Sequence, residues 1–317
     1  MFLSRNTGLA NDGAHNMYYE FSLMPYTVTT KSRKKLTERV GWAHKALRIN
    51  QAWKQTRGKG IKVAILDTGY ANHHPDLQKA VVKFQDFTGQ GIYDHDGHGS
   101  HVAGIVGARA NDIGVVGIAP KCKLLIAKVL NNQGWGKTAW IANGIKWAAN
   151  QGADIISMSL GSSSAMRDVL QALRALPQST FVVAAAGNSG PRMNTVCYPA
   201  MHKMVISVGA ITQKKEIASW SSRGNTVDVV APGVNIISCF PPRALATMSG
   251  SSMSCPIVSG IMALALAKHR LHGGATPINT RQDMLNHLIK SCVDLGKKGK
   301  DPHYGYGLIN PNKLLNS

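Results

Sequence analysis

The 317-residue sequence has few acidic residues, few cysteines and no long apolar run. Its five cysteines are scattered, without a CxxC pair or zinc-finger spacing, which excludes a disulfide framework and fits a reducing compartment. No apolar run approaches the ~20 residues that cross a bilayer. The opening MFLSRNTGLANDGAH carries charges where a signal peptide needs an unbroken apolar segment. These absences predict a cytoplasmic protein without a membrane partner.

Acidic residues are scarce relative to basic ones: 16 Asp and Glu stand against 36 Lys and Arg, a formal net charge of +20. Such a field favours acidic partners, including nucleic acid. The basic run KSRKKLTER at 31–39 has no interleaved aromatic residues, however, and no zinc finger, RNA-binding signature or basic zipper occurs. We therefore interpret the charge as a solvated surface and disfavour nucleic acid as a partner.

From about residue 60 onward, strand patterns alternate with helix patterns. Apolar runs such as IKVAIL at 61–66 are typical of strands buried on both faces of a parallel sheet. Helical stretches such as TAWIANGIKWAAN and MRDVLQALRAL lie between them. Repeated β–α–β units predict an α/β fold with a doubly wound, mostly parallel sheet that is flanked by helices on both faces. We predict one domain over 41–317, preceded by an N-terminal extension over 1–40.

The stretch DHDGHGSHVAG at 94–104 places three histidines and two aspartates close together. His95, His98 and His101 recur at every third position, which on a helix would bring them roughly to one face, as a zinc site requires. A glycine on either side of His98 interrupts the run, and glycine makes a poor rigid platform for metal ligands. From these residues alone, a metal site and a catalytic histidine are both open.

Three chemically capable side chains are predicted at one edge of the sheet. Asp67 follows the strand pattern at 61–66, His98 precedes a helix, and Ser252 in MSGSSMSCP precedes a long apolar helix. Active sites of open α/β sheets gather outside the carboxyl ends of the strands. A serine hydroxyl becomes a nucleophile when a neutral imidazole takes its proton and a carboxylate orients that imidazole. Singly, Asp67 is as typical of a turn and Ser252 of a helix N-cap; their combination indicates catalysis.

Eight blocks of sequence carry a family resemblance: AILDTGYANHHPDL, DGHGSHVAGIVGA, KVLNNQGWGKTAWIANGIKWA, DIISMSLG, VVAAAGNSG, SWSSRGNTVDVVAPG, SGSSMSCPIVSG and YGYGLIN. Together they resemble the subtilisin-like serine proteases over residues 40–317, with the Asp, His, Ser chain order of subtilisin. The resemblance implies a serine endopeptidase that works through an acyl-enzyme. Asp67 would orient the imidazole of His98, the general base and acid, and Ser252 would attack the scissile carbonyl. Asn188 would donate its amide to the oxyanion, and a zinc site becomes disfavoured.

The resemblance also implies a substrate channel whose two walls pair with a peptide as an added β-strand. The matching residues are Gly134, Trp135 and Gly136 on one wall and Ser159, Leu160 and Gly161 on the other. Cys197 stands where the floor of the P1 pocket is expected, and Ser189 rather than an acid follows Asn188. We therefore expect uncharged, medium or large apolar P1 side chains, with lysine disfavoured.

A calcium ion is implied by two further segments, HPDL and ARANDIGV. The matching ligands are the side chains of Asp76 and Asn111 and the backbone carbonyls of Arg109, Ile113 and Val115. Oxygen ligands carried by a loop suit Ca²⁺. The alternative is that both segments are ordinary turns.

The N-terminal extension contains the block Leu23, Met24, Pro25 and Tyr26, which resembles a short leader of the intracellular subtilisin group. In those enzymes the leader crosses the cleft, and its proline moves the scissile bond away from the serine. Proline lacks an N–H and fixes φ, so it would interrupt strand pairing in the cleft. The resemblance predicts a zymogen that is activated by cleavage between about Tyr26 and Trp42; an inert tail is the alternative.

Two rival functions stay open at this point. A relative that keeps the fold as a binding or signalling module would lack catalysis, although such proteins normally lose a triad residue and none is lost here. A basic protein associated with nucleic acid, with secondary peptidase activity, is the weaker rival. The leading prediction has protein or peptide substrates as partners, and the intracellular relatives suggest a homodimer.

Overall fold

A seven-stranded parallel sheet forms the centre of the molecule, with helices on both faces. The computed structural model describes residues 3–4, 20–32, 38–272 and 278–316. The strands are β1 Leu3–Ser4, β2 Phe21–Leu23, β3 Thr27–Ser32, β4 Lys62–Asp67, β5 Val81–Asp86, β6 Lys123–Lys128, β7 Trp135–Gly136, β8 Ile155–Met158, β9 Leu160–Gly161, β10 Phe181–Ala185, β11 Val205–Ile211, β12 Val229–Pro232, β13 Ile236–Phe240 and β14 Ala244–Ser249. The helices are α1 Trp42–Ala46, α2 Ile49–Ala52, α3 Pro75–Gln78, α4 His98–Gly107, α5 Thr138–Asn150, α6 Arg167–Arg174, α7 Ser251–His272, α8 Arg281–Ser291 and α9 Pro311–Leu315.

The order of strands in this sheet is β12-β11-β10-β8-β4-β6-β5, and every pairing is parallel. The chain builds β5 and β6 on one side of β4 and then crosses to β8 on the other side. This reversal makes the carboxyl ends of β4 and β8 the crevice where open α/β sheets bind ligands. The predicted doubly wound α/β fold is confirmed.

Alternate residues of the strands enter two separate hydrophobic cores because strand side chains have a period of two. In β4, Val63 and Ile65 pack in the core that contains α4 and α7, and Ala64 and Leu66 pack in the core that contains α5 and α6. Burial on both faces explains why the strand sequences are continuously apolar rather than alternating.

The central helix α7 carries the predicted nucleophile in its first turn. Among the described residues, its segment Ser251–Leu271 is the one helix long and apolar enough to span a membrane, which the sequence did not lead us to expect. Its 18-residue window is, however, 94% buried inside the protein. Its apolar composition is thus explained by packing against the sheet.

Two small antiparallel sheets involve the N-terminal extension. Strand β2 lies between β7 and β9, and β3 pairs with β14 of the β13–β14 hairpin and with β1. The described part of the extension therefore packs on the predicted peptidase domain. The rest of the predicted extension, including 33–37 at the centre of the basic run, lies outside the described residues.

Candidate active site

Asp67 and His98 meet at the carboxyl edge of the sheet. Asp67 is the last residue of β4, and His98 is the first residue of α4 rather than a loop residue ahead of it. Nδ1 of His98 lies 2.8 Å from Oδ1 and 3.0 Å from Oδ2 of Asp67, and both side chains are fully buried. The carboxylate thus accepts the Nδ1 proton, which leaves Nε2 as the basic nitrogen.

The glycines beside His98 serve close packing. Gly97 caps α4 with φ of 99°, and a Cβ there would lie 2.3 Å from the ring of Phe240. A Cβ on Gly99 would lie 2.3 Å from the carbonyl oxygen of Gly69, in the turn after β4. Gly97 lets the start of α4 pack on Phe240, and Gly99 lets its first turn approach the end of β4, which brings His98 to Asp67.

The three histidines of 94–104 have separate surroundings. Nε2 of His101 hydrogen-bonds to the carbonyls of Ile236 and Ala246 at 3.0 and 3.1 Å, and burial lowers the pKa of His101 to about 3. His95 is exposed, with its ring 4.9 Å from that of Tyr93. Among the described residues, these histidines do not form a metal-binding group.

Asp94 organises the site, and the sequence did not single it out. This buried carboxylate accepts hydrogen bonds from the backbone of Gly97 and from the backbone and hydroxyl of Ser100, at 2.6–2.8 Å. It also accepts the hydroxyl of Thr68 at 2.8 Å, and Thr68 in turn accepts the N–H of Gly99. The network ties α4 to the end of β4. Its only sequence signal is its position in the histidine-rich block.

Lys128 is a second residue that the sequence did not reveal. It ends the apolar strand β6, its side chain is fully buried, and its ammonium donates to the carbonyl of Thr68. Burial lowers its pKa, while the carboxylates of Asp94, Asp86 and Asp67 oppose that shift. A buried cation therefore lies beneath a cluster of carboxylates, as the cost of burying charge requires.

Ser252 lies in the first turn of α7, and its hydroxyl bonds to Ser159 rather than to the histidine. Its Oγ donates to the carbonyl of Ser159 at 3.3 Å, and the Oγ of Ser159 donates to the carbonyl of Ser252 at 2.9 Å. That carbonyl is free within the helix because Pro256, four residues on, has no N–H. Nε2 of His98 is buried without a hydrogen-bond partner, so serine and imidazole are not joined in this state.

Asn188 presents its amide to a peptide carbonyl. The backbone N–H of Ser251 donates to Oδ1 of Asn188 at 2.9 Å, which turns Nδ2 of Asn188 outward. Nδ2 donates to the carbonyl oxygen of Pro25 at 2.7 Å. A polarised donor therefore faces a carbonyl of the extension beside the buried serine.

The electrostatics around His98 favour its protonated form. Burial alone lowers the pKa of an imidazole, but Asp67, Asp96 and Asp94 attract the cation. The carboxylates outweigh burial, and the pKa of His98 is raised above its ordinary value. An imidazole of raised pKa suits a base that must briefly hold a proton.

The predicted channel walls hold the extension between them. Ser22 pairs with Trp135 of β7 and with Gly161 of β9, and Leu23 pairs with Leu160. The N–H of Leu23 also donates to the carbonyl of Gly134 at 3.0 Å. The structure thus places Gly134, Trp135, Gly136, Leu160 and Gly161 against a bound strand, while Ser159 contacts Ser252 instead.

Met24 fills the pocket beside Cys197. A Cβ added to Gly161 would lie 2.0 Å from Cε of Met24 and 2.5 Å from Sγ of Cys197, so both side chains converge on that glycine. Met24 is 8% exposed. Burial raises the pKa of Cys197 to about 12, which keeps its thiol neutral.

Comparison with known proteins places these features in a family. The model of the subtilase family matches residues 58–307. The chain belongs to the subtilase family. It is 42% identical over 258 residues to an intracellular serine protease of Paenibacillus polymyxa, covering 78% of each chain. It is 41% identical over 259 residues to subtilisin DY of Bacillus licheniformis, covering 80% of this chain and 90% of that protein. It is 39% identical over 257 residues to the major intracellular serine protease of Bacillus subtilis, covering 77% and 80%.

Family membership confirms the prediction of a subtilisin-type serine protease, a hydrolase. The match begins at residue 58 and ends at 307, so the extension lies outside it. Family membership therefore does not account for how the extension binds in the cleft, which is seen only in the structure of this chain.

The predicted calcium ligands of this subtilase lie together around one buried carboxylate. Oδ2 of Asp76 accepts the N–H of Val115 at 2.9 Å, and Oδ1 accepts the amide of Asn111 at 3.2 Å. Burial raises the pKa of Asp76. None of the described residues donates a hydrogen bond to the carbonyls of Arg109, Ile113 or Val115. The buried carboxylate and a loop that carries three unbonded carbonyls offer the kind of oxygen ligands that a hard cation prefers.

Proposed function

We propose that the chain is a serine endopeptidase whose triad is Asp67, His98 and Ser252. Nε2 of His98 takes the proton of Ser252 as Oγ bonds to the scissile carbonyl carbon, and Asp67 stabilises the imidazolium. Asn188 donates to the oxyanion. The imidazolium then gives its proton to the leaving amine, and an acyl-enzyme forms. Water, activated by the same imidazole, hydrolyses that ester and restores the serine.

One observation carries this proposal: a peptide carbonyl already lies against Asn188, next to the Asp67–His98 pair. The carbonyl oxygen of Pro25 is 2.7 Å from Nδ2 of Asn188. An amide at this distance matches the geometry of an oxyanion donor. The alternative of an idle binding module supplies no reason for a buried Asp–His pair and an aligned amide in one cleft.

We also infer that the extension over 1–40 is an inhibitory leader of the peptidase domain over 41–317. Its residues Leu23, Met24, Pro25 and Tyr26 lie along the cleft, with Leu23 only 4% exposed. Tyr26 covers His98, with ring centroids 5.0 Å apart. Triad residues under this cover are inaccessible to a substrate. Activation then requires cleavage between about Tyr26 and Trp42, a stretch whose centre, 33–37, lies outside the described residues.

The leader resists cleavage because its side chains and carbonyls are out of register by one residue. In a productive complex, one residue supplies both the P1 side chain and the carbonyl that faces the oxyanion donor. Here Met24 fills the pocket beside Cys197, but the carbonyl at Asn188 belongs to Pro25. Pro25, which has no N–H to donate to the cleft, is the residue at which the side-chain and carbonyl registers diverge. The hydroxyl of Ser252, turned to Ser159, agrees with a non-productive state.

The pocket beside Gly161 and Cys197 supports a preference for uncharged apolar P1 residues. Met24, an unbranched apolar side chain, fits it, and Cys197 is neutral. Ser189 offers no carboxylate to a P1 lysine. We expect methionine and leucine to be favoured over lysine at P1.

Calcium is the proposed cofactor, held by Asp76, Asn111 and the carbonyls of Arg109, Ile113 and Val115. The ion would stabilise the 109–115 loop, whose Gly114 packs so tightly that a Cβ would lie 2.0 Å from Oδ2 of Asp76. The role is structural, because this loop lies apart from the triad contacts described above.

We propose protein or peptide substrates and a cytoplasmic location, in keeping with relatives that are named intracellular serine proteases. A homodimer is the assembly that the family resemblance suggests.

The test compares three proteins: the full-length chain, a truncation that begins at Gly41, and the truncation with Ser252→Ala. A fluorophosphonate should label the truncation rapidly, the full-length chain slowly and the variant not at all. Hydrolysis of a chromogenic peptide with P1 methionine should follow the same order. Equal rates for the first two would refute inhibition by the leader. Absence of labelling and hydrolysis in the intact truncation, checked by circular dichroism, would favour the idle module.

A further inference from the structure

Tyr26 follows Pro25, whose carbonyl accepts from Asn188, and its hydroxyl makes a contact that the proposed mechanism does not use. The hydroxyl of Tyr26 donates to Oδ1 of Asp96 at 2.7 Å. Asp96 is half-buried, and the same oxygen accepts the backbone N–H of His98 at 3.2 Å. A carboxylate is thus fixed at the mouth of the site and oriented by the first turn of α4.

The position of Tyr26 is that of a leaving-group residue. It lies two residues after Met24, which fills the pocket beside Cys197, so in a substrate cleaved after the pocket residue this position belongs to the half that departs with the amine. Its ring lies 5.0 Å from the imidazole that must protonate that amine. Its Cβ lies 3.6 Å from where a Cβ on Gly250 would be, just before α7. Asp96, His98 and Gly250 therefore surround the side chain on the leaving side of the bond.

We propose that Asp96 is a specificity-determining residue that selects a tyrosine two residues after the P1 residue, which is the spacing of Tyr26 from Met24. This inference rests on the proposed function and names a substrate feature of the same site. A carboxylate that accepts a phenol hydroxyl makes a charge-assisted hydrogen bond, which is stronger than a neutral one. Phenylalanine in the same place would keep the contact with the imidazole ring but leave the carboxylate without that donor. The leader uses the same interaction to hold Tyr26 over His98.

The test is a competition between two internally quenched peptides in one tube. Both carry methionine at P1 and alanine directly after the cleaved bond, and they differ only in tyrosine or phenylalanine at the next position. The ratio of the two kcat/KM values does not depend on how much enzyme is active, so the full-length chain can be used. Because a half-buried charged acceptor is involved, the ratio should favour tyrosine by roughly tenfold.

In the isosteric variant Asp96→Asn, the ratio should fall close to one. The control is Asp168→Asn, an exposed aspartate in the first turn of α6, which should leave it unchanged. A change in the pKa of His98 alters both rates equally and cancels in the ratio. A wild-type ratio near one, or a tyrosine preference that survives in Asp96→Asn, would overturn the inference while leaving the proposed peptidase intact. Failure of the truncation that begins at Gly41 to cleave either peptide, without labelling of Ser252, would refute both.

A second measurement uses the leader as the ligand. Tyr26→Phe in the full-length chain removes one hydroxyl and keeps the ring on His98. Fluorophosphonate should then label Ser252 several-fold faster than in the wild type. In the Asp96→Asn background the same substitution should have little further effect, because the acceptor has already been weakened. Additive effects of the two substitutions would contradict a direct Tyr26–Asp96 interaction.

Discussion

Replacing Leu23 by alanine should activate the full-length chain without cleavage of the leader. Leu23 is 4% exposed, and its Cδ1 lies 2.9 Å from where a Cβ on Gly134 would be. Its backbone hydrogen bond to Gly134 does not depend on the side chain. The substitution therefore removes apolar burial and leaves strand pairing in place.

The size of the effect follows from that burial. Truncating a buried leucine to alanine in a cleft that water can refill costs about 2 kcal/mol. The substitution destabilises only the closed state, in which the leader lies in the cleft. When the leader has left the cleft, residue 23 is exposed to water in both the wild type and the variant. At 1.36 kcal/mol per factor of ten, the open fraction rises roughly thirtyfold. The equilibrium is intramolecular, so the rise should not depend on protein concentration.

The assay is initial hydrolysis of a chromogenic peptide by full-length protein, sampled before any processing is visible on a gel. Leu271→Ala is the matched control, because this leucine at the end of α7 is 60% exposed. It should leave the rate unchanged. If Leu23→Ala is no faster than the wild type, although its melting temperature shows an intact fold, the closed leader is not what limits activity.

Four further outcomes test other parts of the site. Asn188→Ala should lower kcat by about 10²–10³, the cost known for this donor in subtilisin, with KM little changed in steady-state assays. Asp96→Asn removes one carboxylate that raises the pKa of His98; since the base must be neutral, the acid limb of the kcat/KM profile should move to lower pH. Chelation of calcium should lower the melting temperature by roughly 5 °C if the ion is present at about 100 times its Kd, and Asp76→Asn should abolish that dependence. Burial lowers the pKa of His101 from 6.5 to about 3, so the unfolded chain binds more protons below pH 6.5. Stability measured by urea unfolding should fall by about 2 kcal/mol between pH 7 and 5 from this residue, and this part of the slope should vanish in His101→Gln.

The sequence predicted the inner strands of the sheet well because they are buried on both faces and read as uninterrupted apolar runs, whereas the edge strand β5 is mostly exposed and has no such run. It also predicted that Asp67 lies at the end of a strand and Ser252 at the start of a long apolar helix. The predicted start of α4 was wrong: the pattern HVAGIVGA begins at His101, whereas the helix begins three residues earlier at His98, directly after Gly97 with its positive φ.

Other features depend on contacts between distant segments, which a periodic pattern does not report. Lys128 ends an apolar run, and nothing local indicates that its ammonium reaches the carbonyl of Thr68. Asp94 stood out only as one carboxylate among histidines. The offset between Met24 and Pro25 depends on how the leader packs against Gly161 and Asn188.

Strand β3 of the leader pairs with β14, which ends at Ser249, just before the helix of the nucleophile. The proposed excision of the leader would therefore uncover a row of main-chain donors and acceptors alongside Ser252. Exposed strand edges recruit extended polypeptide. We expect the mature enzyme to bind long unfolded chains more tightly than short peptides, because residues after the cleaved bond could pair with β14. This additional binding would become available only when the leader is removed.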